Sequence, residues 1–249
     1  MKFRIFLAAI LMFFSFIVSA QEKKNTAPDY AKIKMLIQDE NNSYYYPKLM
    51  ARLIEFDTTL TYDEFKHLYY GYIYQESYDP YGMKSRMDEA ASAKKSEKAV
   101  VLASYLKRKI MPEEYAAAIA LAKDALNEFP FDDNALTVLL RTYELMGDTK
   151  NTEKVSFFYN LLVRTIMLSG NGASCDSGLH IIIVKHEYFI LRLLNQSVIL
   201  QSLIGNCDFM KLSPKSEPIL FNEKRMEGLY FNIEKMRDHS IELINNSFN

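Results

Sequence analysis

The stretch "SGNGASCDSG", from Ser169 to Gly178, divides the chain into two kinds of pattern. Upstream, apolar residues recur at helical spacing; downstream they fall into short β-branched and aromatic runs. A chain that changes period once, in that order, folds as helices followed by strands, the α+β class. The division predicts a helical region over 21–170 and an antiparallel β-rich region over 171–249 packed on the helices.

Within the first region, "PDYAKIKMLIQDE" sets Tyr30, Ile33 and Ile37, with Met35 and Leu36, behind Asp29, a residue suited to start a helix. "NNSYYYP" interrupts it, and Pro47 belongs to the first turn of a second short helix. In "DTTLTYDEFKHLYYGYIYQ", Thr61 and Glu64 have capping-box spacing, and Phe65, Leu68, Tyr69, Tyr72 and Ile73 form an apolar face beyond them. Pro80 and Gly82 end that helix. Further helices are expected over 85–110, 112–129, from the aspartates of "FDDN" to a cap at Gly147, and over 149–168. Glu114 to Asp148 resembles a tetratricopeptide-type hairpin, with Ala125, Pro130, Leu136, Leu139, Tyr143 and Gly147-Asp148 at fitting spacings. The next helix departs from that motif, and a stable array needs three or more repeats. The expectation is a helical-hairpin layer and not a peptide-binding solenoid. After the break, "LHIIIV", "EYFILRLL", "SVILQSLI", "DFMKL" and "LYFNI" read as strands at hairpin-like spacing, and Met236 to Asn245 as a closing helix.

The N-terminus addresses location. Lys2 and Arg4 precede an apolar run from Ile5 to Val18, and "VSA" puts Ala20 before Gln21, the layout of a secretory signal peptide over 1–20. The run is shorter than the about 20 residues of a membrane helix. An uncleaved signal anchor is the alternative. Removing 20 of 249 residues leaves about 229, with no transmembrane segment, and a periplasmic or secreted location. The whole chain carries a net charge of -1, and no basic stripe suggests nucleic acid as a partner. Outside the cytoplasm, Cys175 and Cys207 are candidates for a disulfide; two unrelated thiols are the other reading.

Familiar catalytic patterns are missing. His186-Glu187 lacks the second histidine of a zinc-protease helix, and there is no nucleophile elbow or phosphate loop. No cofactor or metal is implied. Cys207 with His186 or His180 could form a thiol nucleophile, against which stands disulfide formation or plain burial. Asp132-Asp133, Glu113-Glu114 and Asp88-Glu89 fall at helix starts or on a charged helix, where acids serve the dipole.

The tyrosines stand out. A chain with 17 tyrosines and no tryptophan places Tyr69, Tyr70, Tyr72, Tyr74, Tyr78 and Tyr81 in "HLYYGYIYQESYDPYG". Tyr69 and Tyr72 belong to the apolar face. His67, Tyr70, Tyr74 and Tyr78 fall on or near the other side, around Gly71, which admits close backbone approach. One reading is helix packing with hydroxyls capping carbonyls; the other is an aromatic binding surface of His67, Tyr70, Tyr74, Tyr78, Asp79 and Tyr81.

"YYYPKL", "LTYDEFKHLYYGYIYQ", "YDPYG", "GLHIIIVKHEYFILRLL", "QSLIGNCD" and "LYFNIEK" resemble a family of exported Bacteroidota-type proteins, domain of unknown function 4919. The resemblance runs from about Pro28 to Ile233 and departs at "KLSPKSEPILFNEKRMEG". It implies an envelope location and carries no catalytic residue. The expected role is a non-enzymatic protein binding an envelope protein or small ligand through the tyrosine surface. The alternatives are a hydrolase of glycan or peptide, using His67 with Asp79 or Glu76, and an assembly scaffold.

Overall fold

A computed structural model describes residues 27–81 and 89–247 of the chain. The expected signal peptide, Gly82 and the start of the helix expected at Ser85 lie outside the described residues. The helices are α1 (Tyr30–Gln38), α2 (Tyr46–Ile54), α3 (Tyr62–Gly71), α4 (Glu89–Lys107), α5 (Tyr115–Glu128), α6 (Asp133–Met146) and α7 (Thr149–Met167). After a break come β1 (Leu179–His180), α8 (Lys185–Leu193), β2 (Val198–Ile204), β3 (Cys207–Leu212), β4 (Leu220–Phe221), β5 (Lys224–Arg225), β6 (Gly228–Asn232) and α9 (Glu234–Ser247). The class is α+β.

Short polar side chains set the helix starts. Asp29 accepts from the Lys32 N–H at 3.0 Å. At α3 the Glu64 N–H donates to the Thr61 hydroxyl at 3.2 Å and the Thr61 N–H donates to the Glu64 carboxylate at 2.7 Å, closing the capping box. Asp132 accepts from the N–H groups of Asn134 and Ala135 at the start of α6. Gly147 ends α6 at φ 71°, a left-handed turn that glycine adopts without a Cβ penalty. Asp148 then caps α7.

α5 and α6 form the expected hairpin, α7 packs on α6, and α4 lies against both α5 and α6. α3 is the central helix. It contacts α1, α2 and α7, and buries Phe65, Leu68, Tyr69, Tyr70 and Gly71. A short 3-10 turn, Tyr72–Tyr74, tightens its end.

The sheet has the order β1-β6-β3-β2. β2–β3 and β3–β6 are antiparallel, but β1 pairs parallel with β6, Leu179 against Phe231 and His180 against Asn232. The sheet is therefore mixed, where an antiparallel one was expected, because the chain reaches β6 from β1 only after α8 and two hairpins. A second correction concerns "EYFILRLL", expected as a strand and found in α8. His186-Glu187 and Ile190-Leu191 are buried pairs four residues apart with Tyr188 exposed between them, which is helical spacing. Arg192 at the end of α8 binds Asp133 at the start of α6 at 2.5 Å, tying the β-rich part to the helices. In the irregular segment after Ser213, β4 and β5 form a hairpin. Its central residues Asn222 and Glu223 have φ of 50° and 64°, the primed-turn geometry that follows strand twist. Cys175 and Cys207 are joined as a disulfide.

Candidate functional site

Tyr70 and Tyr78, expected on an outward face, are instead buried. α3 is enclosed on several sides, so it has no free face at that position. The Tyr70 hydroxyl donates to the Thr165 carbonyl at 3.0 Å and lies 3.4 Å from that of His180. Tyr78 donates to the Ile182 carbonyl at 2.9 Å, and half-buried Tyr74 donates to the Tyr30 carbonyl at 3.0 Å. Three of these acceptors, the carbonyls of Thr165, His180 and Ile182, cluster where the chain leaves α7, passes through the two residues of β1 and turns into α8. So short a strand leaves carbonyls that the sheet does not pair, and the phenol hydroxyls supply the donors.

Tyr69 adds a directional link. The His186 Nε2 lies 3.0 Å from the Phe131 carbonyl, which can only accept, so Nε2 carries the proton. Nδ1 then accepts from the Tyr69 hydroxyl at 2.8 Å. Burial pushes the His186 pKa down to about 4, so the ring is neutral. His186 and His180 are thus engaged with tyrosines and Cys207 is in the disulfide, which removes the expected Cys–His nucleophile.

The remaining expected site residues do not converge on one surface. His67 stacks on Tyr44 with ring centroids 3.9 Å apart, and its Nδ1 meets the Asp63 carbonyl at 2.7 Å. Burial lowers its pKa. Asp79 is half-buried, with its charge acting on Tyr72. Tyr81 is half-buried and lies near the acids Asp208 and Glu187.

Those two acids form a feature that the sequence pattern did not single out. Glu187 on α8 is fully buried, and burial, followed by the charge of Asp208, pushes its pKa up to about 9. Neither Glu187 oxygen has a hydrogen-bond partner among the described residues, and a buried carboxyl without one favours the neutral form. The Asp208 carboxylate accepts from Gln201 Nε2 at 3.0 Å, and Gln201 accepts from the Tyr188 hydroxyl at 3.0 Å. An acid inside an apolar helical face is the signal that could have pointed to the pair, had the run been read as a helix.

A concavity lies elsewhere, between the end of α2 and helices α5 to α7. It is a groove of about 370 Å³ walled by Leu53, Phe56, Phe65, Phe131, Leu139 and Phe158. Phe56 has φ 52°, a costly backbone for a bulky residue, and its ring meets Phe158 edge-on at 5.4 Å. The Asp57 N–H donates to the Arg52 carbonyl, and Arg52 binds Asp57 and Glu64, which holds that turn in place. Lys123 and Lys154 stand at the groove with Asn127, Asn151 and Glu55, and among the described residues neither lysine forms an ion pair.

The sequence profile of a domain of unknown function, DUF4919, matches residues 31–242. The chain belongs to the DUF4919 family. No curated protein and no solved structure matches it. The DUF4919 match encloses the groove, the tyrosine network and the Glu187–Asp208 pair. Among the described residues, no helix of this DUF4919 chain is long and apolar enough to cross a membrane.

Proposed function

We propose that this DUF4919 protein is an exported binding protein that holds a small amphiphile, an apolar body ending in an acidic group, in the groove between α2 and α5–α7. The carrying observation is an aromatic, aliphatic groove with two ammonium groups at its edge that form no ion pair among the described residues. Its volume falls in the ~300–1,000 Å³ range of small-molecule pockets. All six wall residues named above are phenylalanine or leucine and four of them, Leu53, Phe65, Leu139 and Phe158, stand on helices, so the surface is largely preformed. Lys123 and Lys154 supply charge for a carboxylate, and Glu55 at the same edge disfavours a ligand bearing several acidic groups. The export part of the reading is supported by the Lys2–Ala20 signal pattern and by a cysteine pair placed to cross-link. The binding surface moves from the tyrosines to the groove because Tyr70 and Tyr78 donate inward.

The fluorescent acyl probe cis-parinaric acid and its methyl ester test the reading. Both should bind saturably. The Lys123→Ala/Lys154→Ala double variant should weaken the acid about tenfold and leave the ester unchanged, since the loss of one or two exposed charge contacts amounts to about 1.4 kcal/mol. Asn127→Trp, at an exposed position on the groove edge, should block both. Absence of saturable binding, or probes indifferent to Asn127→Trp, would overturn it.

A further inference from the structure

Among the described residues, β2 is the terminal strand of the sheet, with β3 on one side and an open edge on the other. Its sequence, "VILQSLI", holds neither a charge nor a proline, the devices that usually keep an edge strand from pairing with another chain. Leu200, Leu203 and Ile204 are each more than 40% exposed, at 54%, 57% and 43%. The one irregularity in the ladder with β3 falls at Ile199, which leaves Leu200 to Ile204 in regular register.

Those five residues are self-complementary. An antiparallel pair related by a two-fold axis at Ser202 sets Leu200 against Ile204 and Gln201 against Leu203. Paired residues share a face of the sheet. The outer face then carries a row of Leu200, Ser202 and Ile204 from each chain, and the inner face carries Leu203 beside Gln201. Gln201 is already engaged by Asp208 and Tyr188, so its amide does not compete for the new partner. Charge favours the same occupant. An exposed cation, Lys211, sits beside Leu200 on β3. Across the axis the two Lys211 are offset by three strand spacings, about 14 Å, and by four residues along the strands as well, well beyond the ~8 Å screening length. Nothing along the edge repels a second copy.

We propose that β2 is a self-association edge, through which two copies of this chain join their four-stranded sheets into one continuous sheet about a two-fold axis at Ser202. Isologous pairing of this kind closes on itself and leaves no further open edge at β2.

The test is sedimentation velocity on the full-length chain, processed as the cell leaves it, over a concentration series. The unsubstituted chain should dimerise. Ser202→Lys places two ammonium groups opposite each other and should weaken association about tenfold or more, and Ser202→Asp should do the same with carboxylates. An equimolar mixture of the two variants should regain the dimer. Unchanged circular dichroism and thermal midpoint in each variant separate lost pairing from lost folding. A monomeric unsubstituted chain, or a dimer indifferent to Ser202→Lys, overturns the proposal. A monomer whose β2 amides resist hydrogen exchange overturns it too, and assigns the edge to another segment of the same chain.

Discussion

Glu187 illustrates how one side chain can be set by elements far apart in sequence. It keeps its proton to about pH 9 in the fold, whereas an unfolded chain releases it near the ordinary 4.5. The folded state therefore binds more protons between those values. Stability from this group is complete below pH 4.5 and is lost as pH rises towards 9, at no more than about 1.4 kcal/mol per pH unit. His186 acts oppositely. Its pKa falls to about 4 from 6.5, so its contribution is complete above pH 6.5 and is lost as pH drops towards 4. Glu187→Gln stays neutral throughout, so its stability should decline less between pH 6.5 and 9 than that of the unsubstituted chain. Urea denaturation at a series of pH values reads this, and parallel profiles would mean that Glu187 is ionised in the fold. The caps Asp29, Thr61, Glu64 and Gly147 were legible from sequence because each works within four residues of its partner. The acid pair was not, since Glu187 meets Asp208 only when α8 and β3 come together.

At the level of elements, Gly71 shows why α3 lies so close to its neighbours. A Cβ built at Gly71 would sit 2.9 Å from Cδ1 of Ile37 on α1 and 3.3 Å from the ring of Tyr46 on α2. Gly71→Ala gains about 1 kcal/mol of helix propensity but forces a well-packed core, which costs about 1–3 kcal/mol. A net loss near 1 kcal/mol is expected. In the Ile37→Val background, which lacks the clashing methyl, the loss should vanish, so a double-mutant cycle by chemical denaturation should show coupling. Additive effects would place the clash elsewhere. Gly71 was legible as a close-approach residue, but its neighbours were not. α8 was misread for a related reason: nine residues dense in apolar side chains fit either period until their surroundings decide. The parallel β1–β6 pair was equally hidden, because strand order is a property of the long connection and not of either strand.

For the molecule as a whole, the strands among the described residues all follow Ser169–Gly178, but α8 and α9 follow it too, and the class is α+β. The disulfide reinforces this seam by joining Cys175, in the break, to Cys207, on a central strand of the sheet. The bonded residues are 32 apart. Closing such a loop in the unfolded chain amounts to about 3–4 kcal/mol in the chain-entropy account. Replacing both cysteines with alanine should lower stability by about that much, and a thermal midpoint unmoved by reductant would show that the bond contributes nothing.

The tyrosine network also has a consequence for how the chain comes to be folded. Tyr70 finds its acceptors 95 and 110 residues later, Tyr78 finds its own 104 later, and Tyr69 meets His186 at a separation of 117. Helical proteins usually fold fast because their contacts are local, and these contacts are not. During synthesis, α1 to α3 emerge with hydroxyls and apolar faces whose partners do not yet exist. The latch that joins the two halves closes only when the segment from Thr165 to His186 has arrived, and until then the leading helices wait with those hydroxyls unpaired.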